Sequence, residues 1–313
     1  MEPILIVHGG AGDIKDSRVP DKIKGVKIAA KAGYKILKNG GTALDAVETA
    51  VRILEDDESM NAGRGSVLNL DGEVEMDASI MDGSTLAAGA VTIVRDIAHP
   101  ISLARLVMER TPHVLLAGPG ANKFAEEQGI PRLLPGSLIT PFAKEALKEF
   151  KKKGGSLTEI GGKDNPGDVG TVGAVALDSQ GHLAAATSTG GINGKMVGRS
   201  SDTSLIGSGT YADDEIGGVS TTGHGDSIIK VCMAYAILKN IENGSDPQKA
   251  TQSVLDKMSA KLNNTAGAIT ISKTGEIGVG FSSKRMSWAY QKADTIYFGI
   301  EQEEVQSEKV IDE

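Results

Sequence analysis

The spacing of apolar residues changes along the chain, and each spacing predicts a different element. The unbroken apolar run over residues 3–7, bounded by proline and glycine, is typical of a buried strand. Over residues 21–41 apolar side chains recur at helical intervals and stop at two glycines, so we predict a helix that ends there. Thr42 precedes a second helical pattern, and with Asp45 three residues later it predicts an N-cap.

The remaining patterns predict hairpins and consecutive helices. They comprise a tight hairpin at Asp71-Gly72, a strand at 87–94, helices from Pro100 and over 141–153, a strand pair within 171–191, helices at 225–241 and 247–261, a hairpin over 267–281 and a last strand at 295–300. This mixed order favours antiparallel sheets covered by helices over a doubly wound parallel sheet. We therefore expect an α+β fold.

A segment near the middle of the chain lacks any periodicity. Residues 154–170 are rich in glycine and contain a proline, so we expect a flexible connection there. Neither half around it has the regularity of an independent domain. The prediction is one domain, 1–313, with a linker that can be cut.

Composition and charge narrow the class of partner. Hydrophobic residues make up 40% of the 313 residues, enough for a globular core, and the net charge is -8. That acidity argues against nucleic acid or an anionic membrane as a partner. The one cysteine, Cys232, has no internal partner for a disulfide, and the N-terminus lacks a signal-peptide pattern. We expect a cytoplasmic protein.

Several familiar sites are not supported. The stretch "GGINGK" at 190–195 lacks the glycine spacing and the following Ser/Thr of a phosphate loop. The five histidines form no i, i+4 pair, and no G-x-S-x-G elbow is present. What remains is a set of threonines beside glycine at strand ends, in "GTVGAVA", "ATSTGG" and "VSTTGHGDS". One such threonine is usually structural, but three together indicate a cleft.

These motifs carry a family resemblance. "HGGAG", "NAGRGSVLN", "GEVEMDASIMDG", "NPGDVGTVGAVALD", "ATSTGG" and "STTGHGDS" occur in the order found in plant-type asparaginases, also called isoaspartyl aminopeptidases. The chain resembles these N-terminal nucleophile hydrolases over nearly its whole length, and in particular the cytosolic asparaginase-like enzymes of animals. The resemblance implies a four-layer αββα sandwich and hydrolysis of L-asparagine and β-aspartyl dipeptides.

The resemblance also implies self-cleavage between Gly170 and Thr171, into an α subunit, 1–170, and a β subunit, 171–313, which pair as a dimer of αβ units. The chemistry agrees, because cleavage frees an α-amine on Thr171 with a reference pKa of about 7.7 to 8.0. That amine can serve as the base that a threonine hydroxyl needs. Gly170 has no Cβ and so admits the attacking oxygen.

Further roles are implied residue by residue. Thr189 resembles the residue that orients the nucleophile, Thr222 and Gly223 the oxyanion donors, and Asn61 the asparagine beside the nucleophile. Arg199 and Asp202 resemble the pair that binds the substrate's α-carboxylate and α-amine, with Gly225 beside them. On spacing alone, Arg199 and Asp202 fit a surface ion pair equally well.

No cofactor is expected for catalysis, but a loop resembles the family's sodium loop. Its main-chain carbonyls would belong to Leu54, Glu55, Asp57, Met60, Ala62 and Arg64. An ordinary helix end with a turn is the alternative. Asp168 and the loop His8–Gly10 are expected to assist cleavage.

Four rival functions stay open. A glycosylasparaginase would be expected to carry a signal peptide and disulfides, and a taspase-like endopeptidase is disfavoured by Arg199 and Asp202, which select free α groups. An uncleaved, non-catalytic aspartate-binding homologue belongs to another class, and a nucleotide-binding protein is a more distant alternative. The sequence leaves open the preference between asparagine and isoaspartyl dipeptides, the rate of cleavage and the oligomer interface.

Overall fold

Two β-sheets lie face to face at the centre of the molecule, and helices cover the outer face of each sheet. The structure, a computed structural model, describes residues 1–153 and 170–310. The α+β four-layer sandwich expected from the sequence is confirmed within these residues. The predicted linker lies outside them apart from Gly170, as does Asp168.

The described residues contain thirteen strands. They are β1 (Ile4–Gly12), β2 (Met76–Asp82), β3 (Ala88–Val94), β4 (Leu115–Ala117), β5 (Val172–Leu177), β6 (Leu183–Thr189), β7 (Thr210–Asp213), β8 (Gly217–Gly223), β9 (Ala266–Ser272), β10 (Ile277–Phe281), β11 (Arg285–Lys292), β12 (Thr295–Gly299) and β13 (Gln306–Lys309). The large sheet has the order β13-β12-β11-β1-β5-β6-β2-β3-β4, and the small sheet β10-β9-β8-β7. All pairs are antiparallel except β3 with β4. Strands that precede residue 170 and strands that follow it therefore share one sheet.

Eight α-helices occur in the same residues. They are α1 (Val19–Lys38), α2 (Ala43–Asp56), α3 (Pro100–Arg110), α4 (Gly118–Glu127), α5 (Pro141–Lys152), α6 (Gly225–Val231), α7 (Met233–Glu242) and α8 (Pro247–Leu262). Helices α1 to α3 pack on the large sheet, and α7 and α8 on the small one. None of the described helices is long and apolar enough to cross a membrane.

Three apolar layers hold the sandwich together. The apolar run over residues 3–7 has no polar interruption because β1 is buried on both faces. Leu5 and Val7 face the helices on the large sheet, whereas Ile4 and Ile6 face the small sheet. A third layer lies between the small sheet and its helices, with Leu255 of α8 among its members.

Most predicted elements form, for local reasons that the sequence exposes. The Thr42 hydroxyl accepts a hydrogen bond from Asp45 N at 3.1 Å, so the predicted N-cap of α2 is confirmed. Helices α3 and α5 begin at Pro100 and Pro141, where proline is tolerated because the first helical N–H has no partner within the helix.

The predictions around two turns are wrong. The turn at Asp71-Gly72 forms, but its flanks are not ladder strands, because Asn69 Oδ1 accepts from the N–H groups of Asp71 and Glu73 at 3.0 Å each. The helix predicted over 225–241 is two helices, since Cys232 adopts a left-handed conformation with φ 47° and breaks the ladder.

The predicted ends of the sheet also need correction. The first strand does not stop at residue 7 but continues through "HGGAG" to Gly12, with an irregular register between His8 and Ala11. The strand predicted as the last is followed by β13, an exposed four-residue edge strand with little apolar content.

Candidate active site

Thr171 immediately precedes β5, near the middle of the large sheet. The residue is buried, and its Oγ1 donates a hydrogen bond to Thr189 Oγ1 at 3.1 Å. Thr189 ends the neighbouring strand β6, so antiparallel pairing of β5 and β6 brings the two hydroxyls together. The predicted nucleophile and its predicted orienting residue are therefore adjacent.

Two glycines meet backbone to backbone in front of Thr171. A Cβ added to Gly170 would overlap the Cα of Gly10 and the N of Ala11, and a Cβ on Gly10 would overlap the Cα of Gly170. Gly10 also has φ 108°, a conformation that glycine tolerates best. The irregular register of β1 thus presses its loop directly against the Gly170-Thr171 bond.

Asn61 fixes the loop that follows Thr189. Its Nδ2 donates to Gly191 O at 2.7 Å, and its main-chain carbonyl accepts from Gly190 N at 2.9 Å. Its Oδ1 accepts from Val67 N at 3.0 Å. Asn61 is buried, and these three bonds hold the loop that begins at Thr189.

Thr222 brings the small sheet to the same place. It is fully buried near the end of β8, and its Oγ1 accepts from Ala11 N at 3.1 Å. Ala11 N is one of the atoms against Gly170, so Thr222 binds a residue that contacts the predicted cleavage site. Because its oxygen already accepts this bond, the Thr222 proton is available to an oxygen that develops negative charge. Gly223 follows it with φ 124°.

Arg199 and Asp202 are both at the site, but Arg199 takes its ion-pair partner from elsewhere. Arg199 Nη2 donates to Asp226 Oδ2 at 2.6 Å, and Asp202 Oδ2 accepts from Thr221 Oγ1 at 3.0 Å. The alternative of a surface ion pair between Arg199 and Asp202 does not fit, because Asp202 is buried. Both side chains reach Gly225, whose Cβ would lie 2.5 Å from Asp202 Oδ1 and 2.8 Å from Arg199 Nη2.

The charges of this pair are incompletely satisfied. Burial removes water from the Asp202 carboxylate and raises its pKa to about 6, although the Arg199 charge opposes the increase. Arg199 Nε and Nη1 are buried, and neither makes a hydrogen bond to the described residues. Buried cationic donors beside a buried carboxylate suit a ligand with both a carboxylate and an ammonium group.

His8 is adjacent to the site but is poorly suited to act as a base. Burial lowers its pKa to about 3, so the imidazole is neutral at physiological pH. Its Nε2 lies 2.8 Å from Ser220 Oγ. A histidine that binds protons this weakly leaves the role of base to another group.

The loop predicted to bind sodium turns its carbonyls toward two glycines. A Cβ on Gly63 would overlap Glu55 O, and one on Gly65 would overlap Met60 O and lie 2.9 Å from Glu58 O. Gly63 has φ 50°, and residues 63–65 form a 3-10 turn. Carbonyl oxygens are among the ligands that a hard cation such as sodium prefers.

Sequence reasoning missed two site residues. Asp226 follows "STTGHG" directly, but nothing in its local pattern indicates that it pairs with Arg199. Lys195 belongs to a stretch that does not fit a phosphate loop, yet its side chain is buried and its Nζ donates to Gly190 O at 3.0 Å. A long polar residue immediately after a glycine-rich loop was the available signal.

Comparisons with known proteins point to one family. The model of the family Asparaginase_2, described as asparaginase, matches residues 1–300. The isoaspartyl peptidase/L-asparaginase of Mus musculus is 51% identical over 299 residues, covering 95% of this chain and 90% of the relative. The proteins of the same name from Homo sapiens and Xenopus laevis are 50% and 48% identical, with 96% of this chain and 97% and 96% of the relatives covered.

Proposed function

The chain belongs to the asparaginase family, and we propose that it cuts itself before Thr171 and then hydrolyses L-asparagine and N-terminal isoaspartyl dipeptides. Its relatives carry the name isoaspartyl peptidase/L-asparaginase at about half identity over nearly the whole chain. The observation that carries the proposal is the 3.1 Å bond between the Thr171 and Thr189 hydroxyls, directly behind the contact of Gly10 with Gly170.

The first reaction is cleavage of the chain. Thr171 Oγ attacks the Gly170 carbonyl carbon, the peptide C–N bond breaks, and the nitrogen takes a proton to become the Thr171 α-amine. Water then hydrolyses the ester, which leaves a Gly170 carboxylate and restores the Thr171 hydroxyl. The Gly10 contact supports this step, because only glycine at both positions brings the loop so close to the carbonyl.

Turnover uses the same oxygen with the new amine as base. The α-amine takes the Thr171 hydroxyl proton, and Oγ attacks the side-chain amide carbon of the substrate. The Thr222 hydroxyl and the Gly223 N–H stabilise the oxyanion. The leaving nitrogen departs as ammonia or as an amino acid after it accepts a proton, and water hydrolyses the acyl ester to release aspartate.

Substrate recognition rests on the buried charges at Gly225. The Nη1 donor of Arg199, which makes no hydrogen bond to the described residues, binds the α-carboxylate, while Asp202 binds the α-ammonium. Asp226 orients the guanidinium through Nη2. This arrangement requires an aspartyl unit with both α groups free, and it disfavours the taspase-like alternative.

Three further proposals complete the function. The carbonyls of Glu55 and Met60, with the other members of the predicted loop, would hold a sodium ion that has a structural role. We propose a dimer of αβ units and a cytoplasmic location, the latter because Cys232 has no internal partner for a disulfide.

A denaturing gel and an ammonia assay test the core of the proposal. The wild-type chain should give pieces of 170 and 143 residues (313 - 170 = 143), and the smaller should begin TVGAV. Thr171→Ala should remain one chain and release no ammonia, whereas Thr42→Ala, remote from the site, should cut itself and turn over normally. A Thr171→Ala protein that still cleaves or hydrolyses asparagine would assign the nucleophile elsewhere.

Two rivals have their own tests. Aspartate binding by calorimetry, without ammonia release from asparagine by cleaved wild-type protein, would favour the non-catalytic homologue. Faster hydrolysis of a glycosylated asparagine than of asparagine would favour the glycosylasparaginase.

A further inference from the structure

Lys195 places a buried cation behind the active-site loop. Its side chain is 1% exposed, and Nζ donates to Glu75 O at 2.6 Å and to Gly190 O at 3.0 Å. Its backbone is fixed as well, since its carbonyl accepts from Leu70 N at 2.9 Å. Burial lowers the pKa of Lys195 to about 8, and the ammonium form still predominates at neutral pH. A fold that buries a lysine against two carbonyls accepts a desolvation cost, which a role for the cation at this place would offset.

One peptide group connects this cation to the reactive hydroxyls. The carbonyl of Gly190 and the N–H of Gly191 belong to the same planar peptide unit. Lys195 Nζ binds the carbonyl oxygen of that peptide unit, and the N–H of the same unit, from Gly191, donates to Thr189 Oγ1 at 3.0 Å. Thr189 Oγ1 also accepts the proton of Thr171 at 3.1 Å.

The hydrogen bonds that Thr189 Oγ1 accepts determine where its own proton can go. A threonine oxygen has two lone pairs and one proton, and Gly191 and Thr171 occupy both lone pairs. When Thr171 gives its proton to a base, Thr189 can turn its own proton toward the Thr171 oxygen. The bond from Gly191 N holds the Thr189 oxygen in place during that change. A cation on the far side of the same peptide strengthens the N–H as a donor, because hydrogen bonds in series polarise one another.

We propose that Lys195 is a positioning residue that acts through the Gly190-Gly191 peptide to hold Thr189 and strengthen it as a donor to the Thr171 oxygen. The inference rests on the proposed function, since it concerns the same nucleophile. Lys195 differs in this from Arg199, although a Cβ on Gly191 would lie 3.0 Å from Lys195 Nζ and 3.2 Å from Arg199 Nη1. Arg199 Nη1 makes no hydrogen bond to the described residues and can bind a substrate carboxylate, whereas both contacts of Lys195 Nζ described above are to carbonyls of the protein.

The test compares Lys195→Met with Leu255→Ala, a core variant of α8 outside the site. The extent of cleavage is measured by mass spectrometry, and kcat and KM for L-asparagine are expressed per cleaved chain. Lys195→Met should cleave more slowly and lower kcat by about 10- to 100-fold with KM within about threefold, as expected when an interaction of the transition state is lost. Leu255→Ala should lower the melting temperature while leaving kcat within about twofold.

Other results would overturn the inference. The inference is refuted if kcat of Lys195→Met stays within about threefold of wild type, or if Leu255→Ala loses as much kcat. It is also refuted if only KM changes, and Lys195 would then be a substrate contact. If Lys195→Met does not fold, Lys195→Arg is compared with Lys195→Gln: faster turnover with the cation supports the inference, and equal rates refute it. Uncleaved and inactive wild-type protein would instead count against the proposed function itself.

Discussion

Replacing Asp202 by asparagine should make the stability of the protein less dependent on pH while abolishing activity. Burial raises the pKa of Asp202 from 3.8 to about 6. A carboxyl group whose pKa rises on folding contributes stability that is complete below the unfolded pKa and is lost as the pH rises through the folded pKa. The shift corresponds to roughly 3 kcal/mol, of which roughly 2 kcal/mol is lost between about pH 4 and about pH 7.

The asparagine variant cannot ionise and so lacks this loss. The melting temperature of Asp202→Asn minus that of the parent should therefore increase by roughly 3 °C between about pH 4 and about pH 7. Comparing this difference in melting temperature at the two pH values cancels the direct effects of asparagine on packing, which are the same at both. Both proteins are best compared in a Thr171→Ala background, where the chain should remain uncut.

Scanning fluorimetry at the two pH values provides the measurement. Asp256→Asn, an exposed substitution on α8, is the matched control and should show no such change. L-Aspartate at neutral pH should raise the melting temperature of the parent and leave Asp202→Asn unaffected. A difference that does not depend on pH would mean that Asp202 keeps an ordinary pKa, and the account of the buried clamp would then be wrong.

Three further substitutions separate the parts of the site. Gly10→Ala should slow self-cleavage at least about 100-fold on a gel time course, because its Cβ would overlap the cleavage-site backbone, whereas Gly40→Ala, with a positive φ of 82° but open space, should cleave normally. Asp226→Asn should raise KM for asparagine about tenfold with kcat nearly unchanged, since Arg199 loses the anion that orients it; an effect on kcat alone would contradict this. Thr42→Ala should lose about 1 kcal/mol of stability in a denaturant titration through loss of the helix cap, with full activity.

Local signals in the sequence predicted the elements whose causes are local. Thr42 caps a helix because its hydroxyl reaches an N–H three residues away, and residues 4–7 form an unbroken apolar strand because layers cover both faces. The glycine before Thr171 was recognisable as a special position, but the sequence did not show that Gly10 would contact it. That contact depends on the irregular register of β1, which forms only when β1 lies in the sheet.

Long-range partners were beyond the sequence for a physical reason. Arg199 pairs with Asp226 because Gly225 brings α6 close to the loop at Asp202, and no periodicity records that approach. Cys232 breaks a helical pattern that its own neighbours support, so the break must be imposed by tertiary packing. The role of Lys195 likewise depends on a carbonyl five residues earlier that the loop turns back toward it.

The strand order of the large sheet determines what a cut at Gly170 would do to the molecule. Strand β1 of the first fragment would remain hydrogen-bonded to β11 and β5 of the second. Strand β2 of the first fragment would likewise remain paired with β6 of the second. Neither fragment could then dissociate without breaking the hydrogen bonds of several strand pairs at once. A nicked molecule should therefore migrate as an intact particle in native buffer and come apart only in denaturant.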